Sequence, residues 1–118
     1  MSTRNLLLSA PPYPVEQALK SLGTNLRTAR LRRNLSLEDV AAKIGVGRHV
    51  VAAAEKGKPS TGIAIYAGLL WAYGLTGQLA DVAGPDTDEE GALLARRNER
   101  LNAGGTRASR AGALDNDF

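Results

Sequence analysis

Cysteine is absent from this sequence, histidine occurs once, and aromatic residues make up only 4% of its 118 positions. Without cysteine there is no disulfide and no cysteine-based zinc site, which suits a reducing compartment. A single histidine, no glycine-rich phosphate loop and no convergent set of carboxylates leave little for catalysis to use. The expectation is a non-enzymatic protein with no cofactor and no metal. With one Trp, three Tyr and one Phe, the core has to be built from Leu, Ile, Val and Ala, as in a small helical bundle. No apolar run approaches the length of a membrane span. Met1 to Pro14 does not read as a secretory signal, because Leu6-Leu7-Leu8 is soon followed by Pro11, Pro12 and Pro14. A cytoplasmic location is expected, and the length suits one domain with tails.

Charge is unevenly placed. From Val15 to Leu75 nine basic residues face four acidic ones, a net of about +5, whereas the remainder of the chain sums to about −2. A basic helical surface is often just a solvated face. It gains meaning only if it coincides with a motif that uses it.

Such a motif lies between Leu35 and Gly57. Ser36 is placed to cap a helix, and Asp39 holds the reciprocal capping-box position. Leu37, Val40, Ala41 and Ile44 then recur at helical spacing. Gly45 supplies the left-handed residue that ends the helix, and Val46 is the apolar residue tucked beneath the turn. Gly47 caps a second helix, in which Val51 and Ala54 point inward. Arg48, His49, Val50, Ala52, Ala53 and Lys56 are left facing outward or sideways. Helix, glycine turn, helix in that order predicts a helix-turn-helix, and such motifs commonly read DNA.

These residues resemble the Xre/lambda-repressor-like helix-turn-helix family over roughly Leu19 to Leu79. The likeness is carried by Leu26-Arg27-x-x-Arg30, by Leu35-Ser36-x-x-x-Val40-Ala41-x-x-Ile44-Gly45-Val46, and by Glu55-x-Gly57. It implies an all-α fold, a five-helix lambda-repressor-like bundle, here followed by a C-terminal helix and flexible tails. It also implies an ion pair between Arg30 and Glu55, the alternative for Arg30 being a DNA contact. The candidate DNA-binding residues are Ser36, Leu37, Lys43, Gly47, Arg48, His49, Val50, Ala53, Lys56 and Lys58. Arg48 suits guanine O6 and N7, His49 a base acceptor or a phosphate, and Val50 a thymine methyl. Lys43, Lys56 and Lys58 suit phosphates, as do the N–H groups that start the helix after Ser36. The alternative for Arg48 and His49 is plain solvation at a helix start. The family commonly has Gln where this chain has Leu37, and a polar residue where it has Ala52 and Ala53. So thin a reading head leaves much of the affinity to the DNA backbone and its shape.

The remaining segments read as further helices. Val15, Ala18, Leu19, Leu22, Leu26 and Ala29 make a stripe for helix one, with Gly23 a mild weakness. Ile63, Tyr66, Ala67, Leu70 and Trp71 do so for helix four, ending near Gly74. Leu69, Trp71 and Tyr73 cannot all share the buried face with Ile63, Tyr66 and Leu70, so Trp71 either completes the core or serves a homodimer contact. Thr76 is placed to cap a short fifth helix through Leu79 and Val82, closed by Gly84-Pro85. Residues 1–14 form an N-terminal arm, 15–84 the helix-turn-helix domain, and 85–102 a C-terminal helix. That last helix carries Leu93, Leu94 and Leu101, with Thr87 and Glu90 at capping-box spacing. Residues 103–118 form a Gly-, Ser- and Arg-rich tail whose tip bears Leu114, Asp115, Asp117 and Phe118, candidates for docking to a partner.

The extended architecture is similar to HipB-like antitoxins, small Xre-type proteins paired with HipA-like kinase toxins. The likeness rests on Lys56-Gly57-Lys58-Pro59-Ser60-Thr61, on Leu70-Trp71-Ala72-x-Gly74-Leu75, and on Asp88-Glu89-Glu90-Gly91. It implies a bacterial, nucleoid-associated homodimer that binds a palindromic double-stranded operator, represses its own operon and binds the toxin. Two alternatives stand beside it. One is a free-standing Xre-type regulator, and the other is a protein-interaction module of the same fold without specific DNA binding.

Overall fold

A computed structural model describes residues 5–103; the tail tip, with Leu114, Asp115, Asp117 and Phe118, lies outside the described residues. Seven helices and no strand occur among the described residues: α1 (Leu6–Ser9), α2 (Tyr13–Arg32), α3 (Leu37–Ile44), α4 (Arg48–Glu55), α5 (Ile63–Ala72), α6 (Thr76–Ala80) and α7 (Glu89–Ala103). The chain divides after Ala80 into two units. The first holds α1 to α6, and α2 to α6 are the five helices of the expected bundle. The second holds α7.

Each helix of the first unit has a local cause. Asn5 caps the single turn of α1 by accepting a hydrogen bond from the Leu7 N–H at 3.0 Å. Prolines at 12 and 14 suit the start of α2, where backbone N–H groups have no helical partner. Arg30 and Arg32 close α2 at the end where the helix dipole favours positive charge. In α3 the capping box is complete: Ser36 Oγ accepts from the Asp39 N–H at 3.0 Å, and Asp39 Oδ2 accepts from the Ser36 N–H at 2.9 Å. Gly45, at φ +77°, lets the Val46 N–H turn back onto the Ala41 carbonyl.

The core comprises Leu26 from α2, Val40 and Ala41 from α3, Val51 and Ala54 from α4, and Tyr66, Leu69, Leu70 and Tyr73 around α5. Leu22, Leu35, Ile44, Val46, Leu75 and Leu79 pack against it. α4 packs against α2, α3 and α5, and is therefore held along its whole inner side.

The helical stripes differ from expectation at several points. Ile63 and Trp71 are 68% and 57% exposed, while Leu69 and Tyr73 are buried. α5 is apolar on every face, so periodicity could not choose its inner side; contact with α3, α4 and α6 does. Val15 and Val82 also lie at the surface. Gly23 is a place of close approach. A Cβ there would sit 2.7 Å from the Ala54 carbonyl oxygen and closer still to that of Glu55.

In the second unit, α7 is capped by Asp88, whose Oδ1 accepts from the Gly91 N–H at 3.0 Å. Thr87, at the spacing expected for the cap, instead donates its hydroxyl to the Gly84 carbonyl at 3.2 Å. The helix starts one residue later than that spacing implies, and the aspartate sits one residue before it.

Candidate nucleic-acid interface

The helix-turn-helix is fixed from behind before it presents anything in front. Arg30, buried in α2, donates from Nε to Glu55 Oε2 at 2.7 Å and from Nη2 to Glu55 Oε1 at 3.0 Å. Its Nη1 donates to the Leu35 carbonyl at 2.9 Å. One guanidinium thus joins the end of α2, the loop that leads into α3, and the last residue of α4. Both side chains are under 10% exposed, so this is a desolvated two-pronged pair. The hydrogen bonds to Glu55 outweigh burial and raise the Arg30 pKa above its ordinary value. Arg30 is consumed in this clamp.

Gly57 tightens the same junction. It adopts φ +72°, which a side chain resists, and a Cβ would lie 2.6 Å from the Leu19 carbonyl oxygen. Together with Gly23, it brings the backbone of α2 directly onto the end of α4.

In front, the first turn of α4 is open. Arg48 and His49 are exposed; Val50, Ala52 and Ala53 are half-buried; Lys56 and Lys58 are exposed. Arg48 Nη1 lies 3.1 Å from Glu38 Oε2, with the two side chains 64% and 61% exposed. An ion pair so open to water is worth little and exchanges readily for another anion. Gly47 caps α4 without a side chain, and the His49 ring folds over it: a Cβ at Gly47 would meet the imidazole carbon Cε1 at 2.6 Å.

Two expected contacts are already engaged within the chain. Leu37 is half-buried and packs against the core, so its position is governed by burial and not by exposure to a groove. Ser36 spends its N–H and one acceptor site on the capping box, leaving the hydroxyl proton to donate outward. The start of α3 also carries Glu38 and Asp39, and these oppose a phosphate near its free N–H groups. The Ser36 backbone N–H first, and its side chain second, hold the Asp39 carboxyl below the ordinary carboxylate range.

Lys43 is exposed, and its ammonium lies 5.5 Å from the centre of the Trp71 ring. Sequence reasoning missed this pairing, and also the Arg48–Glu38 bridge, because both link residues on different helices. Behind the clamp, Arg33 stands 5.6 Å from the Tyr73 ring. Burial pushes the Tyr73 hydroxyl up to about 12, with the Glu55 charge adding to it. Among the described residues no group of three His, Cys, Asp or Glu is placed to hold a metal ion.

A family model described as a helix-turn-helix domain matches residues 21–83, more than half of the chain. The chain belongs to this helix-turn-helix family. No curated protein and no solved structure matches it. The matched span of the helix-turn-helix domain runs from residue 21, within α2, to the residues just after α6, and it includes both α3 and α4. It is a DNA-binding domain of the Xre-like type found in transcriptional regulators. None of the described helices is long and apolar enough to cross a membrane.

Proposed function

We propose that this helix-turn-helix protein is a sequence-specific transcriptional repressor that acts as a homodimer on a palindromic operator, with α4 as its recognition helix. The observation that carries the reading is the asymmetry of α4. Val51 and Ala54 are fully buried on one side, while Arg48 and His49 stand exposed at the opening turn on the other, Arg48 held only by its water-open pair with Glu38. A helix held this way can enter a major groove without rearrangement.

In this reading Arg48 leaves Glu38 for guanine O6 and N7, the commonest specific contact of an arginine. His49 donates to a base or a phosphate. Val50 and Ala53 offer small apolar surfaces to thymine methyls, and the short side chains allow the α4 backbone to come close. Lys43, Lys56, Lys58 and the Ser36 hydroxyl serve phosphates, which fix register without reading sequence. Leu37 keeps its place in the packing and Gly47 acts as a cap. Two copies are needed because one small module buries too little surface for tight specific binding.

The narrower role, an antitoxin that also binds a HipA-like kinase toxin, draws only on the sequence likeness at residues 56–61, 70–75 and 88–91. The family match does not reach that distinction.

The test is selection of duplexes from a random library by the full chain. A repressor of this kind enriches one motif with two related half-sites about one helical turn apart. Failure to enrich any motif at low salt would instead favour a protein-interaction module of the same fold.

A further inference from the structure

The helix α7 begins beyond the last residue of the family domain and buries none of its own residues. Leu93, Leu94 and Leu101 are 58%, 45% and 66% exposed. A fifteen-residue helix with its leucines in water is marginal on its own. Leu94 and Leu101 stand seven residues apart, so they fall on one stripe with Leu93 at its flank. Charge is segregated along the same helix. Asp88, Glu89 and Glu90 lie at its start, Arg96 at its midpoint, and Arg97 and Arg100 in its later half, where Glu99 is the one acid among them. That polarity suits the dipole of a single helix, but a dipole gives no reason for three solvent-facing leucines.

We propose that α7 is a self-association surface, and that the α7 of a second copy packs against it in antiparallel orientation. Antiparallel pairing sets the acidic start of one helix beside the basic half of the other and closes the leucines between them. Parallel pairing sets acid beside acid and arginine beside arginine. The arrangement is two-fold symmetric, as a palindromic operator requires. It rests on the two-copy reading above and supplies that reading with an interface outside the helix-turn-helix domain.

The test is sedimentation equilibrium of the full chain without DNA. The wild-type chain is expected to form a dimer. Leu94→Glu combined with Leu101→Glu weakens association more than about a hundredfold, since two buried leucines are replaced by charges. Because these leucines are exposed in the single chain, the thermal melt of the helical core is unchanged in that variant, which keeps the result interpretable. Glu89→Arg with Glu90→Arg also dissociates the dimer, and Trp71→Ser leaves it intact.

A monomeric wild-type chain at about 100 µM overturns the proposal, as does a leucine variant that associates like wild type. Dissociation by Trp71→Ser alone assigns the contact to α5 and equally overturns it. Insensitivity to the Glu89/Glu90 reversal overturns the antiparallel arrangement. Association is read without DNA, so a chain that pairs through α7 yet selects no duplex refutes the DNA reading and leaves this one standing.

Discussion

Gly23, in the middle of α2, lies against the backbone carbonyl of Glu55 at the end of α4, with no room for a Cβ between them. The contact is backbone against backbone, so nothing flexible can move aside. It sets how deeply α2 seats on α4, and it explains a glycine inside a helix that would otherwise favour alanine.

Gly23→Ala therefore destabilises the protein, although alanine is the better helix former. The expected loss is about 2 kcal/mol, the typical cost of overpacking a closed contact. Chemical denaturation measures it. A stability equal to or above wild type would mean that α2 and α4 are free to separate.

The second prediction concerns the other link across that junction. Glu55→Ala leaves Arg30 buried with its Nε and one Nη2 proton unanswered. Stranding one member of a buried pair costs about 3 kcal/mol. Loss of the clamp also loosens α4, so DNA binding falls together with the melting temperature. A silent melt would show that water reaches the pair.

The α3 cap gives a prediction in acid. The Asp39 carboxyl is held below its ordinary value of 3.8 by Ser36, so its contribution to stability is full above that pH. The contribution is lost as pH falls through the lowered value. Ser36→Ala removes the hydroxyl and costs about 1 kcal/mol at neutral pH. An NMR titration then finds the Asp39 carboxyl closer to its ordinary value. The lowering does not vanish, because the Ser36 backbone N–H, its larger cause, is kept in the variant. A stability equal to wild type at neutral pH would contradict the hydroxyl as a cap.

Tyr73 gives the opposite limb. Its hydroxyl titrates at about 12 in the folded chain against an ordinary 10, chiefly through burial. The unfolded chain loses this proton first, so stability is flat below pH 10 and falls as pH rises towards 12. The buried hydroxyl has no hydrogen-bond partner among the described residues. Tyr73→Phe therefore keeps or raises stability at neutral pH and reduces the alkaline fall. A marked loss at neutral pH in the variant would reveal a hydrogen bond to that oxygen.

What could be read from the sequence divides by the range of the interaction involved. Ser36, Asp39, Gly45 and Gly47 act on neighbours within a few residues, and spacing alone placed the capping box and the turn. Val51 and Ala54 followed because α4 has one apolar face. Spacing had no purchase on α5, whose residues are apolar all round. There periodicity groups Ile63 with Tyr66 and Leu70 and leaves Leu69, Trp71 and Tyr73 open, whereas contact with three other helices buries Leu69 and Tyr73 and leaves Ile63 and Trp71 exposed. Gly23 reads as a weakness locally and as a seat only once α4 lies beside it. Arg48 met Glu38 unforeseen for the same reason, since the two stand on different helices. At Thr87 and Asp88 the error was one of local rank: two adjacent residues could each cap, and the aspartate next to the helix prevailed.

In the proposed function the opening turn of α4 reads base sequence. Its most direct test is a fluorescence-anisotropy titration of the selected duplex and a scrambled duplex at one fixed salt concentration. Wild type is compared with Arg48→Ala/His49→Ala. The account predicts that wild type prefers the selected duplex by about a thousandfold or more. It predicts that the double variant loses most of that preference while still binding both duplexes through its lysines. A double variant that discriminates between the duplexes as well as wild type does would contradict it.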